Sequence, residues 1–472
     1  MTRAPILDLI KAMAEPLKKV HIKTFGCQMN AADTELMYQM LAPEYIRAER
    51  PQDADLVLIN TCAIRRKSED KVLSVLGSLR ELKRQRPQLL IGVGGCVAQQ
   101  EGKRLLKAAP HLDLVFGTQG IYRLPRLVRD AAQGRRLVDV ALTEGYPALP
   151  QRHWEPGQIK AMVSIMRGCD NFCTFCVVPY VRGRECSRPA DEIIGEVAEF
   201  LKAGGKEVTL LGQNVNSYGR GLASKITFPE LLRRVAGLTG LARLRFATSH
   251  PRDLSDDLIR AFGELAPLCE HLHLPVQSGS DKILKAMGRG YTRRDYLARV
   301  ERLRKAHPGL ALSTDLIVGF PGEEEADFKE TLDLLKQAAF DHAFYFKYSP
   351  RPQTRAALFP DQVPEEVKAE RHARLEALVN ELILAAHQRL VGQTREVLVE
   401  GVSKRSSKEL SGRLRTKQVV NFPGPRELTG RLAQVHLEAA GPHSLKGCLA
   451  PDSLRPLAGM DSPSASPKEG IR

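Results

Sequence analysis

The chain has 472 residues, about three times the usual single-domain length, so two or three domains are expected. Seventy Lys and Arg against 55 Asp and Glu give a net charge of +15 and a pI near 9.4, which favours a polyanionic partner, nucleic acid first. With 43% hydrophobic and 26% charged residues and no apolar run of about 18 residues, the composition excludes collagenous, membrane-spanning and wholly disordered chains.

In residues 1–17, an N-terminal extension, Arg3, Asp8, Lys11 and Glu15 interrupt any apolar signal core, so a cytoplasmic protein is expected. From Lys18 a short apolar run followed by an amphipathic stretch recurs, as expected of βαβ units on a parallel sheet over about 18–135. VHIKTF ends at Cys27, DLVLINT at Cys62 and LLIGVGG at Cys96, cysteines 35 and 34 residues apart. Nine cysteines, an odd number, in a reducing compartment do not read as a disulfide framework. Adjacent parallel strands lie about 4.8 Å apart, so three strand-end cysteines can converge on one small cluster with an open iron. Gly26, Gly94 and Gly95 would let backbone approach such a ligand. GVGG lacks the full G-x-G-x-x-G, which leaves a dinucleotide site as the lesser alternative. In the basic run that follows, Arg65 and Arg66 are phosphate candidates, whereas Lys83, Arg84 and Arg86 read as a solvated helix face.

A Pro- and Gly-rich stretch at 146–158, holding the single Trp154, marks a linker. Six strand-like runs follow over 155–387 (AMVSIM, EVTLLGQN, RLRFATSH, HLHLPVQSG, LSTDLIVGFPG, AFYFKYSP), most with a helical segment behind them, predicting a partial (βα)6 barrel. Gln213, Asn214, Ser249, His250, Gln277, Ser278, Gly319 and Gly322 crowd the strand ends, where such folds build sites. A long helix is predicted over 364–390. It leads into a small all-β barrel at 389–450, which carries 11 Lys or Arg against 5 Asp or Glu. The tail 451–472, rich in Pro, Ser and Gly, is expected to be disordered.

Cys169, Cys173 and Cys176 form C-x3-C-x2-C directly after the first barrel strand. Three thiolates on one loop can hold three corners of a 4Fe-4S cubane and leave the fourth iron open, whereas zinc would want a fourth protein ligand. An open iron can chelate the amino and carboxylate groups of S-adenosylmethionine, and one electron can then release a 5′-deoxyadenosyl radical. With Phe175 before the last cysteine, this loop resembles the radical S-adenosylmethionine superfamily. Cys186, Cys269 and Cys448 are expected to serve only packing.

Both cysteine sets, together with KTFGCQMN, INTCAIR, VGGC, CDNFCTFCVVPYVRGRECSRP, LLGQNVNSYG, LPVQSGS and DLIVGFPGE, resemble the methylthiotransferase family over about 18–450. Gln28, Met29 and Asn30 after the first cysteine are similar to the branch that acts on isopentenylated adenosine in tRNA. The terminal barrel resembles the TRAM module, with Gly412-Arg413-Leu414 where Gly-Arg-Thr is usual. The resemblance implies two 4Fe-4S clusters, an auxiliary one on Cys27, Cys62 and Cys96 and a radical one on Cys169, Cys173 and Cys176. It implies two S-adenosylmethionine molecules per turnover, contacted by Phe175, Gln213, Asn214, Gln277, Gly319 and Gly322. The reaction implied is methylthiolation of carbon 2 of N6-isopentenyladenosine beside the anticodon. The implied partners are the tRNA anticodon stem-loop, an electron donor of flavodoxin or ferredoxin type and an iron-sulfur carrier, with no membrane and a monomeric protein. Alternatives are the same chemistry on threonylcarbamoyladenosine or a ribosomal-protein aspartate, and a non-catalytic iron-sulfur RNA-binding protein.

Overall fold

A computed structural model describes residues 17–42, 44–63 and 66–451; Arg65 and the expected tail from Asp452 lie outside them, as does the side chain of Arg66. Six strands form the first sheet: β1 (Lys18–Thr24), β2 (Tyr45–Arg47), β3 (Leu56–Thr61), β4 (Leu90–Gly95), β5 (Leu114–Phe116) and β6 (Leu137–Asp139). All pairs are parallel, in the order β2-β1-β3-β4-β5-β6. The central β3 reads LVLINT and is buried at every position, the continuous pattern of a strand covered on both faces. Leu56, Leu58 and Phe116 pack on one side, and Val57, Ile59, Val93 and Val97 on the other. The sheet continues to Asp139, past the expected limit at 135, because β6 adds to β5 at its edge. The stretch that follows is tied down: Trp154 packs against Phe200 with ring centres 4.7 Å apart, and the Arg152 guanidinium lies 3.9 Å from its ring.

Next come β7 (Lys160–Ser164), the short antiparallel pair β8 (Met166–Arg167) and β9 (Cys186–Ser187), β10 (Glu207–Leu211), β11 (Arg243–Ala247), β12 (His271–His273), β13 (Ala311–Val318) and β14 (His342–Lys347). Two parallel three-stranded sheets result, β11-β10-β7 and β12-β13-β14, linked by a parallel bridge between Leu244 and Leu268. Each of these six strands matches one of the six predicted runs.

The chain divides into two compact units at Val379 and Asn380. The division falls inside the helix Glu365–Gln388 and not after it, since His387 near the helix end bonds the Gly441 carbonyl at 2.6 Å. In the second unit β15 (Thr394–Val402), β16 (Glu409–Leu414), β17 (Val419–Pro423), β18 (Leu432–Ala440) and β19 (Leu445–Leu449) close a barrel in the order β15-β16-β17-β19-β18. Val397, Val399, Val420, Phe422, Val435 and Leu437 fill it. Among the described residues, no helix is long and apolar enough to cross a membrane.

Candidate iron-sulfur and cofactor site

Cys27, Cys62 and Cys96 stand just beyond the carboxyl ends of β1, β3 and β4, three neighbouring strands. Strand pairing alone would leave these ends free to splay. A buried polar network holds them. Asn30 donates to Asn60 Oδ1 at 3.2 Å and to the Thr61 carbonyl at 2.9 Å, while Asn60 donates to the Asn30 carbonyl at 2.8 Å and to Thr34 Oγ1 at 2.9 Å. Thr61 Oγ1 reaches the Gly94 carbonyl at 2.6 Å and accepts from the Val97 N–H at 3.2 Å. Gly26, at φ +137°, has no room for a side chain: a Cβ there would stand 2.5 Å from Cys62 Cβ.

Cys27 caps the helix Gln28–Leu41, and its thiol donates to Asn30 Oδ1 at 3.4 Å. A hydrogen bond with Cys62, the largest influence, together with the backbone N–H groups of Asn30 and Met29 and the Arg182 charge, pulls its pKa down to about 6. Cys96 opens the helix Cys96–Glu101 and is fully enclosed, so burial pushes its thiol up. Arg182 is buried and pairs with Asp33 at 2.6 Å.

The second triplet lies on one loop. Cys169, Cys173 and Cys176 follow β8, and Gly168 at φ +73° turns the chain where a Cβ would stand 2.0 Å from the Arg184 carbonyl. Phe172 also takes a left-handed conformation, φ +46°. The loop is tied from outside: Thr174 N–H bonds the Met287 carbonyl at 2.9 Å, and the Ala356 N–H bonds the Thr174 carbonyl at 2.9 Å. Arg289 Nη1 donates to Cys173 Sγ at 3.4 Å while Nη2 holds the Pro275 carbonyl at 2.7 Å. Burial pushes the thiols of Cys169 and Cys176 up to about 11 and about 12, and the neighbouring cysteines add to it. Among the described residues, no group of three or more His, Cys, Asp or Glu closes around a single metal ion.

Beside this loop the ends of β10 and β11 carry buried polar atoms with no partner, both amide atoms of Gln213 and of Asn216, Ser249 Oγ and His250 Nε2, and Glu185 Oε1, just before β9, is another. Buried polar groups are nearly always satisfied, so this concentration marks a place prepared for a polar ligand. His250 accepts the Arg252 N–H on Nδ1 at 3.3 Å, which puts its own proton on Nε2. Burial, with Arg289 and Arg252 near, lowers its pKa to about 2.

Three family models match the chain: the uncharacterised protein family UPF0004 over residues 19–117, the radical SAM superfamily over 163–335 and the TRAM domain over 388–450. The tRNA-2-methylthio-N(6)-dimethylallyladenosine synthase of Syntrophobacter fumaroxidans is 49% identical over 446 residues, 94% of this chain and 98% of that one. This chain belongs to that synthase family. The synthase of Geobacter metallireducens is likewise 49% identical, covering 92% and 98%, and that of Moorella thermoacetica 48%, covering 92% and 99%. Among solved structures, the radical S-adenosylmethionine methyltransferase TsrM from Kitasatospora setae shares the fold, with TM-score 0.53 and 14% identity over 72% of this chain and 75% of that one.

Within each triplet the thiols act on one another: Cys27 hydrogen-bonds Cys62 and acts on Cys96, and Cys173 acts on both Cys169 and Cys176. Gln213 presents its amide unpartnered, Gln277 sits buried at φ +79° bridged to Leu316, and Gly319 (φ +70°) and Gly322 (φ +77°) shape the turn after β13. Phe175 packs against Ile283, Met287 and Phe320. Asn214 is engaged elsewhere: its amide donates to Asp253 at 2.7 Å and accepts from the His250 N–H at 3.1 Å, tying the ends of β10 and β11 together. Arg84 pairs with Glu81 in the open, in keeping with a surface reading, whereas Lys83 is largely covered, bonded to Asp113 and the Leu89 carbonyl, and Arg86, just past the helix end, pairs with Asp55. Sequence alone does not single out Asn30, Arg182, Asn216 or Arg289 as site residues. Asn30 lies in a motif that serves there only to sort family branches, and the other three become meaningful only through partners distant in sequence.

Proposed function

We propose that this protein installs a methylthio group on carbon 2 of N6-isopentenyladenosine beside the anticodon of tRNA. The observation that carries the reading is the joining of the two triplets. The helix Val178–Arg182 starts two residues after Cys176, and its last residue, Arg182, pairs at 2.6 Å with Asp33 on the helix that starts after Cys27. The charge of Arg182 also acts on Cys27 and Cys96. One buried ion pair thus ties the element that follows one triplet to the element that follows the other.

Cys169, Cys173 and Cys176 would hold one 4Fe-4S cluster, and Cys27, Cys62 and Cys96 a second. The donor sets suit these occupants: each cysteine of a cubane meets a different iron, so neither triplet needs to close on a single ion. Burial disfavours a bare thiolate at Cys96, Cys169 and Cys176, and such thiols are matched to a cationic partner. When bound, the clusters supply the electron that cleaves S-adenosylmethionine to a carbon radical and the sulfur that is transferred. The hydrogen on carbon 2 of adenine is not acidic, so no side-chain base on this chain could remove it as a proton.

The chain's own residues bind and orient. Arg289 steadies Cys173 by hydrogen bonding, and Gln213, Asn216, Ser249 and His250 offer donors and acceptors to the polar ends of S-adenosylmethionine. The TRAM domain at 388–450 would grip the tRNA, in keeping with the net positive charge of that stretch. The bases of an anticodon loop can be splayed into a pocket, which suits a site sunk in a barrel.

The deciding experiment is anaerobic reconstitution with iron and sulfide counting, then incubation with dithionite, S-adenosylmethionine and a prenylated anticodon stem-loop. About eight irons per chain and a methylthiolated nucleoside by mass are expected. Four irons, or 5′-deoxyadenosine without methylthio product, would overturn the reading.

A further inference from the structure

The inner face of the β12-β13-β14 sheet carries a group of side chains that neither triplet uses. Register pairs His273 with Ser313, Ser313 with His342 and Asp315 with Phe344, so these residues share one face, while Leu272, Leu312, Thr314, Leu316 and Ala343 lie buried on the other. His273 Nε2 stands 3.4 Å from Asp315 Oδ2, and its Nδ1 lies 3.0 Å from Ser313 Oγ. The Phe344 ring meets His273 edge-on at 5.9 Å and His342 at 4.6 Å. Phe344 is nevertheless 41% exposed, a large aromatic left open in the middle of a barrel strand.

The opposite sheet packs against the helix that follows the first strand-end cysteine. Met162 of β7, Leu211 of β10 and Ala247 of β11 pack against Met29 and Ala32, on the helix that begins directly after Cys27. A base whose carbon 2 points toward the strand-end cysteines turns the far side of its ring toward β12-β13-β14. In a purine that far side is the N6 and N7 edge.

We infer that Asp315 accepts the N6–H of the target adenosine and that Phe344, its register partner, receives the apolar N6 substituent, so that the pair selects prenylated adenosine. This rests on the proposed function and names the residues that give it substrate choice. N6-prenylation leaves one N–H on the nitrogen, a donor suited to a carboxylate acceptor, and the five-carbon group attached there is wholly apolar. The two demands, one polar and one apolar, fall on residues adjacent across one strand pair.

The test measures binding of two anticodon stem-loops to the reconstituted full chain, one with N6-isopentenyladenosine and one with plain adenosine. The parent should prefer the prenylated loop by at least about tenfold, since five apolar carbons leave water. In Phe344→Ala the preference should fall to near unity by loss of affinity for the prenylated loop alone, and Phe344→Tyr should restore most of it. A third loop, methylated as well as prenylated on N6, lacks the N–H. The parent should bind it about tenfold more weakly than the prenylated loop, and Asp315→Ala should bind the two equally. Unchanged circular dichroism and melting temperature keep a folding defect from mimicking these losses. If Phe344→Ala keeps the parent's preference, or Asp315→Ala still separates the two prenylated loops, the inference fails while methylthio product from the parent upholds the activity. If the parent makes no methylthio product from the prenylated loop, the activity reading itself falls.

Discussion

The two cysteine triplets, each proposed to hold a cluster, are assembled by opposite routes. Cys169, Cys173 and Cys176 are neighbours in sequence, and the loop that carries them is folded tightly enough to force Gly168 and Phe172 into left-handed backbone. Cys27, Cys62 and Cys96 are strangers in sequence, placed together by the order of β1, β3 and β4 and by the Asn30–Asn60–Thr61 network. A loop site carries its ligand set in a few residues of spacing. A sheet site spreads it over about 70 residues, and its integrity is that of the whole domain. Their electrostatics diverge too: burial makes Cys169 and Cys176 reluctant to ionise, whereas Cys27 at a helix start ionises readily.

The sharpest way to break the comparison is to remove one cysteine from each site. Cys173→Ala should abolish production of 5′-deoxyadenosine. Cys62→Ala should leave that cleavage and eliminate methylthio product, so detection of product from Cys62→Ala would show that the sheet site is not needed for transfer.

Alkylation of metal-free protein should separate the two environments by orders of magnitude. With a pKa of about 6, Cys27 is about nine-tenths thiolate at pH 7, so its labelling should rise through pH 6 and level off near pH 8. Cys176, held near 12, should stay unlabelled over that range. Peptide mapping after a short pulse of iodoacetamide reads both; equal labelling of the two would contradict the contrast.

Asn60→Ala tests whether the network, and not strand pairing alone, holds the sheet site. It strips donors from the Asn30 carbonyl and Thr34 Oγ1 in a buried setting, and a loss of about 2 kcal/mol or more is expected in denaturant melts. Iron retention at the loop triplet should be unaffected, which distinguishes this from general collapse.

The smallest effect belongs to the cations of the terminal barrel. Neutralising Arg413, Arg415 and Lys417 should reduce the logarithmic salt slope of tRNA binding by about 0.7 to 0.9 for each phosphate the protein no longer neutralises. Arg413 pairs with Glu400 at 3.0 Å, an ion pair that a phosphate would have to displace. A slope equal to the parent's would assign these cations to the barrel surface alone.

Much of this was legible in the chain. Six strand-like runs with helical spacing between them became β7, β10, β11, β12, β13 and β14, because strand-like and helix-like segments in alternation mark a parallel βα fold. Strand length is not what decides: β12 is as short as β2, β5 and β6, three residues each, and was legible because the run HLHLPVQSG continues past it. The cysteines were readable from spacing in one case and from repetition at strand ends in the other. What escaped was tertiary: Asp33 and Arg182 are 149 positions apart, and Cys173 and Arg289 are 116 apart. No periodicity links such pairs. Asn214 illustrates the converse, a strand-end amide that looks free in sequence and is engaged by Asp253 and His250 in the fold.

The order of the strands also bears on how the protein is made. β1, β3 and β4 are complete once residue 96 has been synthesised, long before the loop at 169–176 exists. Domains fold largely as they emerge from the ribosome, amino end first. The sheet thiols are therefore brought together early, while Met29 and Asp33 still lack Met162 and Arg182, their later partners. During that interval the helix after Cys27 is without the side chains that later cover and pair it, and the domain that follows supplies them.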